Sequence, residues 1–163
     1  VKPLNIRRLV TVPAEFSKGL VKCRVIYDEI IHDIQFQHYN IRNITSIKAV
    51  EGNTIQYPHK YLRRDQLDVL YSKRNGCGEI MILHKGQVSD AYYYNIVCCR
   101  KDTYFTPENP LLYGVQRQKL LKSGHIQEMA IGLKDLKNFD SIHLINAMTP
   151  LGKIVIPIHQ IEY

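Results

Sequence analysis

No apolar run in this sequence approaches the roughly 20 residues that a helix needs to cross a bilayer. The basic residues near its start lead into no signal-peptide core. A membrane-spanning helix and a secreted protein are therefore not expected. Cysteine is sparse: Cys23, Cys77, Cys98 and Cys99 show no metal-ligand spacing. Cys98 and Cys99 would point to opposite faces of a strand and so would hardly pair. Reduced thiols in a cytoplasmic protein, with no metal site, are the expectation. Internal repeats and low-complexity segments are absent. Basic residues outnumber acidic ones by 22 to 15, yet they are scattered as Arg7-Arg8, Arg63-Arg64, Lys73-Arg74 and Arg100-Lys101. A nucleic-acid interface would gather them on one element with aromatics between. The charge of +7 is better suited to solubility and to anionic ligands, and nucleic acid is not the expected partner.

What is present fits a globular chain. With 45% hydrophobic and 23% charged residues over 163 positions it can bury a core, as one domain or as part of two. Residues 20–28 and 31–39 read as a hairpin, with Ile34, Phe36 and His38 alternating onto one side. Glu51-Gly52-Asn53 marks a turn. After Pro58, Leu62, Leu67 and Leu70 fall near helical spacing, and that helix should stop near Asn75-Gly76. Further strands are expected at 79–83, 95–99, 103–105, 126–131, 141–145 and 154–158. Helices are expected at 116–122 and 133–138. Strands and helices mix without a βαβ rhythm, so an α+β fold with a curved, largely antiparallel sheet and flanking helices is expected.

Four stretches carry the chemistry. They are His59-Lys60-Tyr61-Leu62-Arg63-Arg64; Val88-Ser89-Asp90 with Asn95-Ile96-Val97; Thr106-Pro107 with Leu112-Tyr113-Gly114-Val115-Gln116-Arg117; and Asn146-Ala147-Met148 before Ile154-Val155-Ile156-Pro157. In this order they resemble the class IV pyridoxal-phosphate (PLP) enzymes: branched-chain and D-amino-acid aminotransferases and aminodeoxychorismate lyase.

The resemblance implies a role for each. Lys60 matches the lysine that forms a Schiff base with the cofactor aldehyde and then carries a proton at the substrate α-carbon. Asp90 stands where the family has an acid, usually glutamate, facing the pyridine nitrogen, and that contact makes the ring an electron sink. An aspartate after the Gly86-Gln87 turn is equally a loop cap. Gly114, Val115 and Gln116 match a turn whose backbone N–H groups hold the phosphate at a helix start, although Gln116 replaces a common threonine. Taken alone, this would be an ordinary helix terminus. Arg117 reads as a packing or pairing residue, and Asn95 as a brace for the loop. Ala147 and Met148 match the backbone that completes the phosphate cup, and their side chains suit a core as well.

The implied activity is amino-group transfer between an amino acid and a 2-oxo acid by a homodimer. The alternatives are an aminodeoxychorismate lyase-like carbon–carbon lyase and a truncated, non-catalytic relative. Family members begin with a smaller domain that carries a phosphate-binding arginine. Residues 1–52 are accordingly read as the remainder of that domain and 53–163 as the PLP-binding domain, with weak cofactor binding expected of the chain as it stands.

Overall fold

The structure, a computed structural model, describes residues 9–163, and the chain divides into two compact units, Val1–Ile41 and Arg42–Tyr163. In the first unit β1 (Val21–Tyr27) and β2 (Ile31–His38) form the antiparallel hairpin that alternation implied, with Cys23 opposite Phe36 and Val25 opposite Ile34. Its turn is fixed locally. Asp28 accepts the Ile30 N–H at 3.1 Å and lies 2.8 Å from His32 Nε2. The hydrogen bond from His32 holds the Asp28 carboxyl below its ordinary range. A short 3-10 turn (Ala14–Phe16) stacks Phe16 on Phe36.

The second unit is a nine-stranded sheet with two helices of eight residues each among the described residues. The strands are β3 (Ile47–Glu51), β4 (Glu79–His84), β5 (Gln87–Ala91), β6 (Asn95–Arg100), β7 (Thr103–Pro107), β8 (Gln127–Met129), β9 (Ser141–Ile145), β10 (Val155–Pro157) and β11 (Ile161–Glu162). The helices are α1 (Asp65–Ser72) and α2 (Val115–Lys122). Strand order is β10-β9-β6-β5-β4-β3-β11, with β7 on β6 and β8 on β7. Pairing is parallel at β11–β3–β4 and β7–β8, and antiparallel elsewhere. The mixed, mainly antiparallel α+β architecture is the one expected from the sequence.

Two tight turns set the register. Lys85 and Gly86 take φ of 52° and 74° between β4 and β5, and Lys101 and Asp102 take 47° and 62° between β6 and β7. Paired left-handed residues match the twist of a two-residue hairpin, and Asp140 accepts the Lys101 N–H at 2.8 Å to hold the second. The core has two clusters. Ile80 and Ile82 of β4 pack with Val50, Ile55, Tyr92 and the α1 residues Leu67 and Leu70. Val97, Ile126 and Ile145 pack with Leu120 and Leu121 of α2. Each fully buried isoleucine contributes about 1.5–3 kcal/mol over an exposed one. Gly52 allows α1 to approach β4, since a Cβ there would lie 2.7 Å from Ile82 and 2.9 Å from Leu70.

Several boundaries differ from expectation. The division between units falls at 41/42 rather than 52/53, because β3 belongs to the large sheet through β4 and β11. Residues 58–64 are not helical, and α1 starts at Asp65. Asp65 and Asp68 in its first turn suit the positive end of the helix dipole. Arg64, at φ −129°, is drawn out of the helix to reach Tyr92. β5 was not anticipated as a strand. β8 and β10 are shorter than expected, and Ile158 opens a 3-10 turn instead of extending β10. Among the described residues no helix is long and apolar enough to cross a membrane, and no cluster of His, Cys, Asp or Glu is placed to hold a metal.

Candidate functional site

β5 and β6 meet through one pair of residues, Asp90 opposite Asn95. Asn95 Nδ2 donates to Asp90 Oδ1 at 2.7 Å and to the Leu112 carbonyl at 2.8 Å. The Leu112 N–H donates in turn to Asp90 Oδ2 at 2.9 Å. Asn95 thus braces the loop, as the sequence suggested, and Asp90 caps it from within. Both side chains are buried. Ser89 adds a bond from Oγ to the Asn109 carbonyl at 2.9 Å. Gly114 lies so close over Asn95 that an added Cβ would overlap the Asn95 side chain, so a side chain at 114 would push the loop away.

Gly114 ends that loop and is the N-cap of α2, with no side-chain cap bond. The first N–H groups of a helix have no partner within it, and together with the dipole they favour an anion. Val115 is exposed and Gln116 half-buried at this start. Arg117 points inward and is wholly buried, donating to the Pro107 carbonyl at 2.8 Å and to Glu128 at 2.6 Å. It pairs rather than clamps.

The fourth stretch follows β9, whose Ile145 pairs with Asn95. Asn146 Nδ2 donates to the Tyr93 carbonyl at 3.2 Å, just past Asp90. Asn146 Oδ1 accepts the Met148 N–H at 2.8 Å, so Met148 offers no free N–H in this turn. Ala147 is exposed and Met148 half-buried.

Lys60 lies in the exposed segment between β3 and α1. That segment reaches the same end of the sheet through Arg64. Its guanidinium sits 4.2 Å from the Tyr92 ring centroid and 4.7 Å from that of Tyr93, and Nη2 donates to the Tyr92 carbonyl. The turn 92–94 therefore links the lysine-bearing segment, Asp90 and the Asn146 turn.

The electrostatics follow from burial. Desolvation pushes the Asp90 carboxyl up to about 6, against the N–H of Leu112 and the Asn95 amide, which hold it down. The carboxyl is ionised at neutral pH but close to its midpoint. Desolvation also raises Glu79 to about 7, opposed by the Ile80 N–H, Arg42, the Tyr92 N–H and Arg64. Asp90→Asn replaces one carboxylate oxygen by a donor, which sets N–H against either the Leu112 N–H or the Asn95 amide. That mispairing costs about 1–3 kcal/mol, while removing a carboxyl whose folded pKa is raised from 3.8 to about 6 returns about 3 kcal/mol at pH 8. The stability of Asp90→Asn relative to wild type should therefore improve by about 2–3 kcal/mol between pH 4 and pH 8 in urea denaturation, and a pH-independent difference would mean that Asp90 stays ionised throughout.

Sequence reasoning missed Arg64, Tyr92 and Glu79. Arg63 and Arg64 are alike in sequence, and only the fold separates them: Arg63 is 86% exposed and pairs with Asp65 at 3.3 Å, whereas Arg64 turns inward. An acid heading the apolar run 79–83 was the available signal for Glu79.

The architecture agrees with the comparisons. Residues 35–161 match the family model of amino-transferase class IV, and the chain belongs to that family. An uncharacterized protein of Haemophilus influenzae is 36% identical over 151 residues, covering 93% of this chain and 80% of that one. A crystal structure from Haemophilus somnus, provisionally named 4-amino-4-deoxychorismate lyase, superposes with a TM-score of 0.85 at 30% identity, over 93% of this chain and 79% of that one. A hypothetical aminotransferase of Mycobacterium tuberculosis in its PLP-bound form shares the fold, with a TM-score of 0.62 at 16% identity over 78% of this chain and 53% of that one.

Proposed function

We propose that this chain is a PLP-dependent enzyme of its family that transfers an amino group between an amino acid and a 2-oxo acid. The observation that carries the reading is the bonded set at one sheet end: Asp90 buried under Asn95, Asn95 tied to the loop before an uncapped helix start, and Asn146 tied to the adjoining turn. The residues fit the cofactor. The helix start with Gly114 suits a phosphate, and a carboxylate offers about four acceptor positions, of which Asp90 uses one for the Asn95 amide and two for the N–H groups of Leu111 and Leu112.

In this reading Lys60 tethers the cofactor, and Asp90 holds a proton on the pyridine nitrogen. Backbone N–H groups of Val115, Gln116 and Ala147 hold the phosphate; Gly114, whose own N–H is taken by the Leu112 carbonyl at 2.9 Å, leaves room for it, and the Met148 side chain borders the cup. PLP, when bound, supplies an electron sink for negative charge at the substrate α-carbon. The Lys60 amine, once released from its tether, would take the substrate α-proton and hand it to the C4′ carbon of the cofactor rather than back to the α-carbon, as amino-group transfer requires. The test is a PLP titration followed by visible absorbance. A saturable band in the wild type that disappears in Lys60→Ala, with the fold intact by circular dichroism, supports the reading. A band that survives the substitution overturns the assignment of Lys60.

A second reading, carbon–carbon lyase chemistry, draws support from the Asn146-Ala147-Met148 turn and from the Haemophilus somnus structure. Assays with amino donors and 2-oxo acids on one side, and with 4-amino-4-deoxychorismate on the other, separate the two.

A further inference from the structure

Tyr92 is gripped from several elements at once. Its N–H is hydrogen-bonded to the buried Glu79 carboxyl of β4, and its carbonyl accepts from Arg64. Its ring stacks on Tyr71 of α1 with centroids 4.3 Å apart and planes 23° apart, and meets Tyr93 edge-on at 4.3 Å. Its hydroxyl donates to Asp68 of α1. Behind it, Arg42 pairs with Glu79 at 3.4 Å and donates to the Tyr71 hydroxyl at 2.9 Å. Tyr92 belongs to the turn that leaves Asp90, so whatever fixes Tyr92 fixes the end of β5.

Arg64 alone in this set comes from the segment that carries Lys60. Its guanidinium lies 5.6 Å from the Tyr57 ring as well, so tyrosines from both the segment and the turn surround it. A planar cation can stack on a ring and donate in its own plane at once, which an ammonium cannot do. Within the segment Tyr57 donates to the Tyr61 carbonyl at 3.2 Å and the Tyr61 N–H to the His59 carbonyl at 2.9 Å, while next to β3 the Asn53 Oδ1 accepts the Lys85 N–H at 2.6 Å.

We propose that Arg64 is a positioning residue, which holds the Lys60 segment in place beside Asp90 by clasping Tyr92. The proposal rests on the functional reading above, in which Lys60 and Asp90 serve one cofactor. Without Arg64 the segment loses this tie to the Tyr92 turn beside Asp90, while the sheet and its core remain.

The test is reductive trapping of PLP with borohydride, followed by peptide mapping of the modified lysines, with thermal unfolding measured in parallel. In the wild type, modification should concentrate on Lys60. In Arg64→Ala, Lys60 labelling relative to the other lysines should fall about tenfold, the loss expected for one stacked, donating guanidinium. Arg64→Lys, which keeps the charge and most of the bulk, should show the same loss. The exposed Arg63→Ala should label like the wild type. Should Arg64→Ala fail to fold, Arg64→Lys decides alone. Wild-type labelling of Lys60 in a folded Arg64 variant overturns this proposal and leaves the functional reading intact. Absence of preferred Lys60 labelling in the wild type overturns both.

Discussion

Asn95→Ala is expected to lower the unfolding free energy by roughly 3 kcal/mol at pH 8, and by less at pH 5. One hydrogen bond to a charged group contributes about 1.5–3 kcal/mol and one to a neutral carbonyl about 1 kcal/mol, and Asn95 makes one of each, to Asp90 and to Leu112. The pH dependence follows from Asp90. Its folded-state pKa, about 6, lies above the ordinary 3.8. The stability it contributes is therefore fully present below 3.8 and is lost as the pH rises through 6. Asn95 restrains that rise, so its removal moves the folded pKa higher and costs most where Asp90 is ionised. Urea denaturation at the two pH values measures the difference. An equal loss at both would mean that Asn95 serves the loop and not the charge.

Glu79→Gln should behave in the opposite sense. The folded-state pKa of Glu79 is raised from 4.5 to about 7, chiefly by burial. Its contribution to stability is present below 4.5 and fades as the pH rises through 7. At about 1.4 kcal/mol per pKa unit, the wild type forfeits about 2–3 kcal/mol from this group between pH 5 and pH 8. Glutamine mimics the protonated acid and does not titrate. The stability of Glu79→Gln relative to wild type should therefore improve by that amount over the same interval, while Asp90 titrates alike in both proteins and cancels. Arg42, Arg64 and the N–H groups of Ile80 and Tyr92 all face the carboxyl. A pH-independent difference would show that they keep Glu79 ionised throughout.

Local patterns made part of this fold legible. The first hairpin, the strands at 79 and 95 and the basic helix after Gly114 all announce themselves by alternation, apolar runs or glycine. β3 and β5 do not. Ile47–Glu51 is a strand because it lies parallel to β4 and β11, which are distant in sequence. Gln87–Ala91 is polar in its first and middle positions, and only the Lys85-Gly86 turn lays it on β4. The start of α1 was misjudged because Leu62 kept the helical spacing, whereas it is 58% exposed and Arg64 answers to a carbonyl 28 positions away. At the candidate site order and type single out the motif residues as candidates. The clasp around Tyr92 is not singled out, since four of its parts come from separate elements and none has a sequence signature.

The seam between β5 and β6 has an evolutionary consequence. A single residue pair joins the strands there, the Ala91 N–H closes the turn on the Tyr94 carbonyl at 2.8 Å, and the loop through Asn109 and Leu112 adds bonds to Ser89, Asp90 and Asn95. Residues that would serve a cofactor are thus also the ones that keep the sheet closed. A descendant that abandoned the chemistry would still be selected to retain Asp90 and Asn95, or to exchange them together with the loop. Their persistence in a lineage is then a record of folding rather than of turnover. On the proposed assignment Lys60 would serve the chemistry from the exposed segment outside that seam, so its retention or loss would be more telling of turnover than that of Asp90 and Asn95.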